Sequence, residues 1–267
     1  MSDAETVLIT GASSGIGEAL AQVFARHGFR LILLARSRDK LNELKFQFEK
    51  EHAIKVHVIV DDLAVPTTPL KIYQNLLAER ITVDILINNA GFGDYGLFWK
   101  RDWTITGDLI QVNIAALTHL TRLFLPAMVE RKKGRIMNVA SIAAFQAGPL
   151  MSVYFASKAY VLSFTEALAA ELKGSGVSVT ALCPGPVSTG FRTRAGILPM
   201  KWIARTNRLS AAAVALYGYR ALMKGEILAV PGIMNKLGVL FVKIIPRPIV
   251  RRLVGFLQKG RKNPYTL

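Results

Sequence analysis

Seven short apolar runs punctuate the chain: Val7–Thr10, Arg30–Ala35, Lys55–Val60, Asp84–Asn88, Arg135–Ala140, Val177–Leu182 and Ile227–Val230. Their hydrophobicity is continuous rather than alternating, the pattern of strands covered on both faces. Helical periodicity fills the gaps, over Glu18–His27, Arg38–Glu51, Pro69–Glu79, Thr104–Arg131, Ser152–Lys173 and Ser210–Lys224. Such alternation calls for right-handed βαβ crossovers and a mostly parallel sheet. The expected fold is α/β, a single doubly wound parallel sheet of about seven strands, with ligands held beyond the carboxyl ends of the strands. The 267 residues are half apolar, enough for one sizeable core, and no linker or internal repeat divides them.

The first apolar run leads into Thr10-Gly11-Ala12-Ser13-Ser14-Gly15-Ile16-Gly17, and a periodic segment through Ala19, Leu20, Val23 and Phe24 follows. Strand, glycine turn and helix is the context a dinucleotide requires, and it makes the expected sheet Rossmann-like. Gly11, Gly15 and Gly17 let the backbone approach a pyrophosphate, with Ser13, Ser14 and Ile16 completing the cradle at the helix N-terminus. The segment Gly11–Gly15 also fits G-x-S-x-G, the nucleophile elbow of hydrolases. That reading needs strands ahead of the elbow and a late histidine. The turn follows the very first strand and His119 is the last histidine, so the order is wrong.

Cofactor choice follows from the end of the second run, Leu33-Leu34-Ala35-Arg36. A site for NAD usually places an acid about 20 residues past the glycines, whereas arginine accommodates a 2′-phosphate. Arg36 stands 19 residues after Gly17 and no acid occupies Ala35, so NADP(H) is expected. The competing reading has Arg36 merely open the next helix, paired with Asp39 or Glu43.

Tyr154 and Lys158 stand one helical turn apart, thirteen residues after Ser141. Positions i and i+4 share a helix face, so an ammonium there can lie beside a phenol. Bringing a phenol from ~10 to about 7 takes roughly 4 kcal/mol of differential stabilisation, and a nearby cation is one of the few sources.

In order and spacing, these residues resemble the short-chain dehydrogenase/reductase family over roughly residues 6–232. Thr10–Gly17 is similar to its T-G-x-x-x-G-x-G turn, Asn88-Asn89-Ala90-Gly91 to its N-N-A-G, and Asn113 to its helix asparagine. Ser141 with Tyr154 and Lys158 resembles its catalytic serine and Y-x-x-x-K pair, and Pro184-Gly185 its P-G. The resemblance implies a ketoreductase or alcohol dehydrogenase. Tyr154 would be the general acid/base, Lys158 would lower its pKa and bind ribose, Ser141 would hold the substrate oxygen, and Asn113 would disturb its helix and hold a relay water. Asn89, Ala90 and Gly91, Asp62-Leu63 (with Asp61 a rival for the register), and Pro184, Gly185, Val187 and Thr189 are implied in cofactor binding. A homo-oligomer built on Thr104–Arg131 and Ser152–Lys173 is implied as well. The alternative class is a non-catalytic NADP(H)-binding sensor or scaffold, which a missing catalytic residue would favour; all four are present.

Charge separates the last quarter from the rest. The chain carries a net +16; 190–267 hold 15 Lys/Arg against Glu226 alone, and 1–189 hold 19 against 17 acids. Domain organisation is therefore expected as a dinucleotide-binding catalytic body over 1–232 and a basic, apolar C-terminal extension over 233–267. The body includes a substrate flap at 186–209, whose Ile197, Leu198, Met200, Trp202 and Ile203 suit a hydrophobic carbonyl: lipid-like 3-oxoacyl, steroid-like or generic. Prolines and cations make the extension a poor spanning helix. It suits either an anionic membrane surface or packing on its own domain or across a subunit interface, with its cations in water. No nucleic-acid module accompanies it, and the branch it resembles is NADP-preferring, with DltE-like and 3-oxoacyl reductases. The acidic N-terminus does not read as a signal peptide, and the single Cys183 fits a reducing compartment. A cytoplasmic location, with or without membrane attachment, is expected. The scattered histidines offer no metal site.

Overall fold

The computed structural model describes residues 4–187 and 209–259. Its elements run β1 (Thr6–Thr10), α1 (Gly15–Arg26), β2 (Arg30–Ala35), α2 (Arg38–His52), β3 (Val56–Val60), α3 (Thr68–Ala78) and β4 (Ile85–Asn88). Next come α4 (Trp103–Ile110), a π-helical turn at Gln111–Ala116, α5 (Leu117–Glu130), β5 (Gly134–Val139), α6 (Ser152–Glu171) and β6 (Val177–Leu182). The chain continues through α7 (Ala211–Met223), β7 (Leu228–Ala229), α8 (Ile233–Ile244) and α9 (Arg247–Lys259).

All seven strands are parallel, in the order β3-β2-β1-β4-β5-β6-β7. The expected Rossmann-like doubly wound sheet is the fold observed. Strand residues alternate between two helical layers, as the pleat dictates. Val7, Ile9 and Leu33 join Leu20, Phe24, Leu41 and Val214 on one face, while Leu8, Ile32 and Ile136 join Ile72, Leu120 and Phe124 on the other. Each such side chain contributes about 1.5–3 kcal/mol when fully buried. The order reverses between β1 and β4, and that switch opens the crevice above their carboxyl ends.

A buried polar seam fixes the strand ends around the crevice. Asn88 Nδ2 donates to Thr121 Oγ1 (3.0 Å) and Asn138 Oδ1 (2.9 Å), and Asn138 Nδ2 donates on to Thr165 Oγ1 (3.0 Å). The seam ties β4 and β5 to α5 and α6. Partly broken, it would leave buried amides unpaired, so it resists sliding of those elements.

The described part of the extension, 233–259, forms two helices despite its prolines. Pro248 falls in the first turn of α9, where its fixed φ fits and its missing N–H costs nothing. Val250 and Val254 are buried with Tyr95, Ala143, Met151 and Phe155, so α9 packs on its own domain.

Candidate active site

The glycine cradle forms where β1 turns into α1. Gly11 and Gly15 have φ of +65° and +63°, the left-handed region that favours glycine. Gly17 has no such φ, but a Cβ there would overlap the carbonyl oxygen of Gly11 and the amide of Asn89. Asn89 is the brace behind the turn. Its Nδ2 donates to Thr10 O (2.9 Å) and Gly11 O (3.2 Å), and the Asn89 and Ala90 amides both donate to Thr10 Oγ1 at 2.9 Å.

At the far wall, Ser141 follows β5, its hydroxyl beside that of Tyr154 from α6 and donating to Pro184 O at 3.4 Å. Ser141 Oγ also accepts from Ala143 N (3.1 Å), which fixes its direction. Lys158 is buried one turn along α6, and its Nζ donates to Val139 O at 2.8 Å. Asn113 lies in the π-helical turn, so the local helix disturbance expected there is present. Its amide clamps the backbone of Phe92, donating to the carbonyl (3.0 Å) and accepting from N–H (3.1 Å), and also donates to Ser157 Oγ (3.0 Å).

One expectation is corrected. Tyr154 is not acidified in the protein alone: burial pushes its pKa up to about 12, against a small opposing pull from the Ser141 hydroxyl. Burial also pulls Lys158 down to about 8, although Cys183 nearby raises it. Desolvation penalises both charged forms and is the largest influence on each.

These groups line one cavity of about 1040 Å³. It takes in Gly11, Ser13, Ser14, Gly15 and Ile16 of the cradle, Arg36, Asp62, Leu63 and the Asn89–Gly91 turn. It also takes in Ser141, Tyr154 and Lys158 and, after β6, Pro184, Gly185 and Val187. Arg36 reaches Asp62 Oδ2 at 3.4 Å with most of its side chain exposed, while Glu43, its expected rival partner, pairs with Lys40 at 3.1 Å. Asp61 and Asp62 both line the cavity: Asp61 is held by Lys71 (2.8 Å) and Thr68 (3.2 Å), and Asp62 accepts from Ala64 N (2.9 Å) and lies 3.4 Å from Arg36. Thr189 and residues 188–208 of the flap lie outside the described residues; its ends meet in a bridge between Val187 and Leu209.

A dinucleotide fits this space. Gly17 packs behind the cradle, where a Cβ would overlap the Gly11 carbonyl and the Asn89 amide, and at Gly91 a Cβ would sit 3.0 Å from Asn113 Oδ1 and 3.4 Å from Lys158 Nζ. A cavity this size exceeds what a small substrate alone needs.

Sequence reasoning missed the wall supplied by α9. Val254, Leu257 and Gln258 line the cavity, and Gln258 Oε1 is buried without a hydrogen-bond partner. Tyr95 latches the helix there, its hydroxyl donating to Gln258 O at 2.8 Å. The available signal was the i, i+4, i+8 spacing of Val250, Val254 and Gln258, obscured by the prolines before it.

Residues 5–196 match the family described as short chain dehydrogenase. The chain belongs to the short-chain dehydrogenase family. A very-long-chain 3-oxoacyl-CoA reductase of Anas platyrhynchos is 35% identical over 189 residues, covering 68% of this chain and 59% of that protein. The match thus spans about three fifths of the length of such relatives. The reductase of the same name from Rattus norvegicus is 30% identical over 267 residues, covering 98% of this chain and 82% of its own. Among solved structures, a short-chain dehydrogenase from Sphingobium yanoikuyae in complex with NADPH has a TM-score of 0.80 at 30% identity, covering 91% of this chain and 97% of that one. A family member from Burkholderia phymatum in complex with NAD has a TM-score of 0.80 at 26% identity and covers 99% of both chains. The family therefore uses a nicotinamide cofactor of either kind.

Proposed function

We propose that this short-chain dehydrogenase is an NADPH-dependent reductase of hydrophobic carbonyl compounds, reversible toward the alcohol, with Tyr154 as the general acid/base. The observation that carries the reading is the convergence of Ser141, Tyr154 and Lys158 on one crevice, with the glycine cradle at one end and apolar α9 residues at the other. When bound, the nicotinamide supplies the hydride for the carbonyl carbon.

The protein's own residues do the rest. Ser141 donates to the substrate oxygen and holds it beside Tyr154. Tyr154, protonated across the physiological range, passes its proton to that oxygen as charge develops there. Lys158, charged near neutrality and buried behind the ring, stabilises the phenolate that remains until solvent restores the proton. Asn113 keeps the Phe92 backbone and α6 in register with the site. Pro184, Gly185, Val187 and Thr189 would meet the nicotinamide amide, and Leu63 the adenine.

NADPH is favoured over NADH because Arg36, the residue at the ribose position, is exposed and held only by a 3.4 Å contact to Asp62 among the described residues. A lipid-like 3-oxoacyl compound leads the substrate classes, in keeping with the names of the relatives and the apolar wall of α9. Residues 1–232 then form the catalytic body, with 233–267 an extension that shares its substrate wall. We further infer a homo-oligomer through α5 and α6, where Tyr160 is exposed, stacks on Phe164 and bonds Thr118.

A carbonyl panel of 3-oxoacyl thioesters, steroid ketones and aryl ketones, followed by NADPH absorbance, tests the reading. Turnover of at least one bulky ketone is expected. Tight NADPH binding without turnover across the panel would leave the protein a sensor.

A further inference from the structure

The apolar residues of α8 and α9 point two ways. Val239, Val250 and Val254 are buried against the body. On α8, Ile233, Leu237, Phe241 and Ile244 recur at i, i+4, i+8 and i+11, and all are more than half exposed. On α9, Ile249, Leu253 and Phe256 recur at i, i+4 and i+7 and are 55%, 47% and 72% exposed. Residues at these spacings share a helix face, so each helix turns a continuous apolar stripe to solvent.

Charge decides what can cover these stripes. Residues 233–259 hold six cations (Lys236, Lys243, Arg247, Arg251, Arg252 and Lys259) and no acid. A second copy docked across a two-fold axis would set this cationic surface against itself, with no acid to offset it. A bilayer with anionic headgroups meets both demands, taking the stripes into its interface and the cations against its phosphates. Beyond Tyr95, which bonds α9, the chain runs into exposed Phe98, Trp99 and Trp103, the side chains favoured at a membrane–water boundary.

We propose that the outer faces of α8 and α9 form a docking surface for anionic lipid bilayers. The inner face of α9 walls the crevice through Val254, Leu257 and Gln258, so the docked membrane lies about one helix diameter, ~10 Å, from the substrate end. A lipophilic substrate then passes from bilayer to crevice along α9. The docking itself is independent of the proposed reduction, and its test reads no turnover.

The full chain is floated with vesicles of phosphatidylcholine and with phosphatidylcholine–phosphatidylglycerol mixtures, at low and high salt. Flotation with the mixed vesicles alone, weakened by salt, is expected. Arg251→Gln with Arg252→Gln should lower vesicle affinity roughly 30-fold, from about 1 kcal/mol per cation near an anionic surface. Phe241→Ser with Phe256→Ser should abolish flotation, and thermal melting should stay unchanged in both double variants because all four side chains are exposed. Wild-type protein that stays at the bottom, or floats equally with neutral vesicles, overturns the proposal. So does a sedimenting dimer that the phenylalanine pair of substitutions splits into monomers, which would assign the stripes to a second copy.

Discussion

The ammonium of Lys158 lies 5.9 Å from the centre of the Tyr154 ring, one turn along the same helix, and donates to the Val139 carbonyl behind it. The pair is close enough to interact, yet burial governs both members in the protein without nucleotide. Folded Lys158 releases its proton at about 8, against 10.5 for an ordinary lysine. Between those values the unfolded chain binds more protons than the folded one, so stability rises with pH. The raised Tyr154 pKa acts oppositely, but only above its ordinary 10.0. Denaturant melts of wild type and Lys158→Met from pH 7 to 10 should diverge, wild type gaining on the order of 2–3 kcal/mol relative to the variant. Parallel profiles would contradict the buried, destabilised cation.

Gly17 packs where no side chain fits, against the Gly11 carbonyl and the Asn89 amide. Gly17→Ala should destabilise the fold by about 1–3 kcal/mol, because backbone cannot move aside as a flexible side chain can. Nucleotide affinity should fall with it, as Asn89 is displaced from Thr10 and Gly11. Calorimetric titration with NADPH checks this; unchanged affinity would remove the cradle from the binding account.

Arg36 tests cofactor choice. Losing a charge-assisted contact of about 1.5–3 kcal/mol should lower kcat/KM for NADPH roughly 10–100-fold in Arg36→Ala. The value for NADH should hold or rise, since Asp62 then faces the ribose without its partner. Equal losses for both cofactors would contradict a role at the 2′-phosphate.

Much of this molecule was legible in its residues because the sheet is covered on both faces. Continuous apolar runs then have few other places to go, and Arg30–Ala35 and Val177–Leu182 match their strands residue for residue. The cradle was legible because left-handed turns demand glycine at Gly11 and Gly15. Two things were not. The pKa of Tyr154 depends on how deeply the crevice buries it, which spacing along a helix does not encode. The substrate wall from α9 depends on long-range contacts such as Tyr95 with Gln258, 163 residues apart.

That wall gives a further prediction. Val254 is buried at the crevice edge beside Tyr95 and Phe155. Val254→Trp should raise KM for bulky ketones at least ~10-fold by filling the substrate end, a loss of about 1.4 kcal/mol, while leaving the Kd for NADPH unchanged. A parallel loss of NADPH affinity would place α9 at the nucleotide end instead.

The most direct test is single-turnover reduction of an accepted ketone by Tyr154→Phe. The substitution keeps the ring and deletes only the hydroxyl of a residue that lines the crevice. Removing the general acid should slow hydride transfer by about 10²–10⁴-fold with NADPH affinity intact. A rate within a few fold of wild type would contradict the proton role assigned to Tyr154, and with it the proposed mechanism.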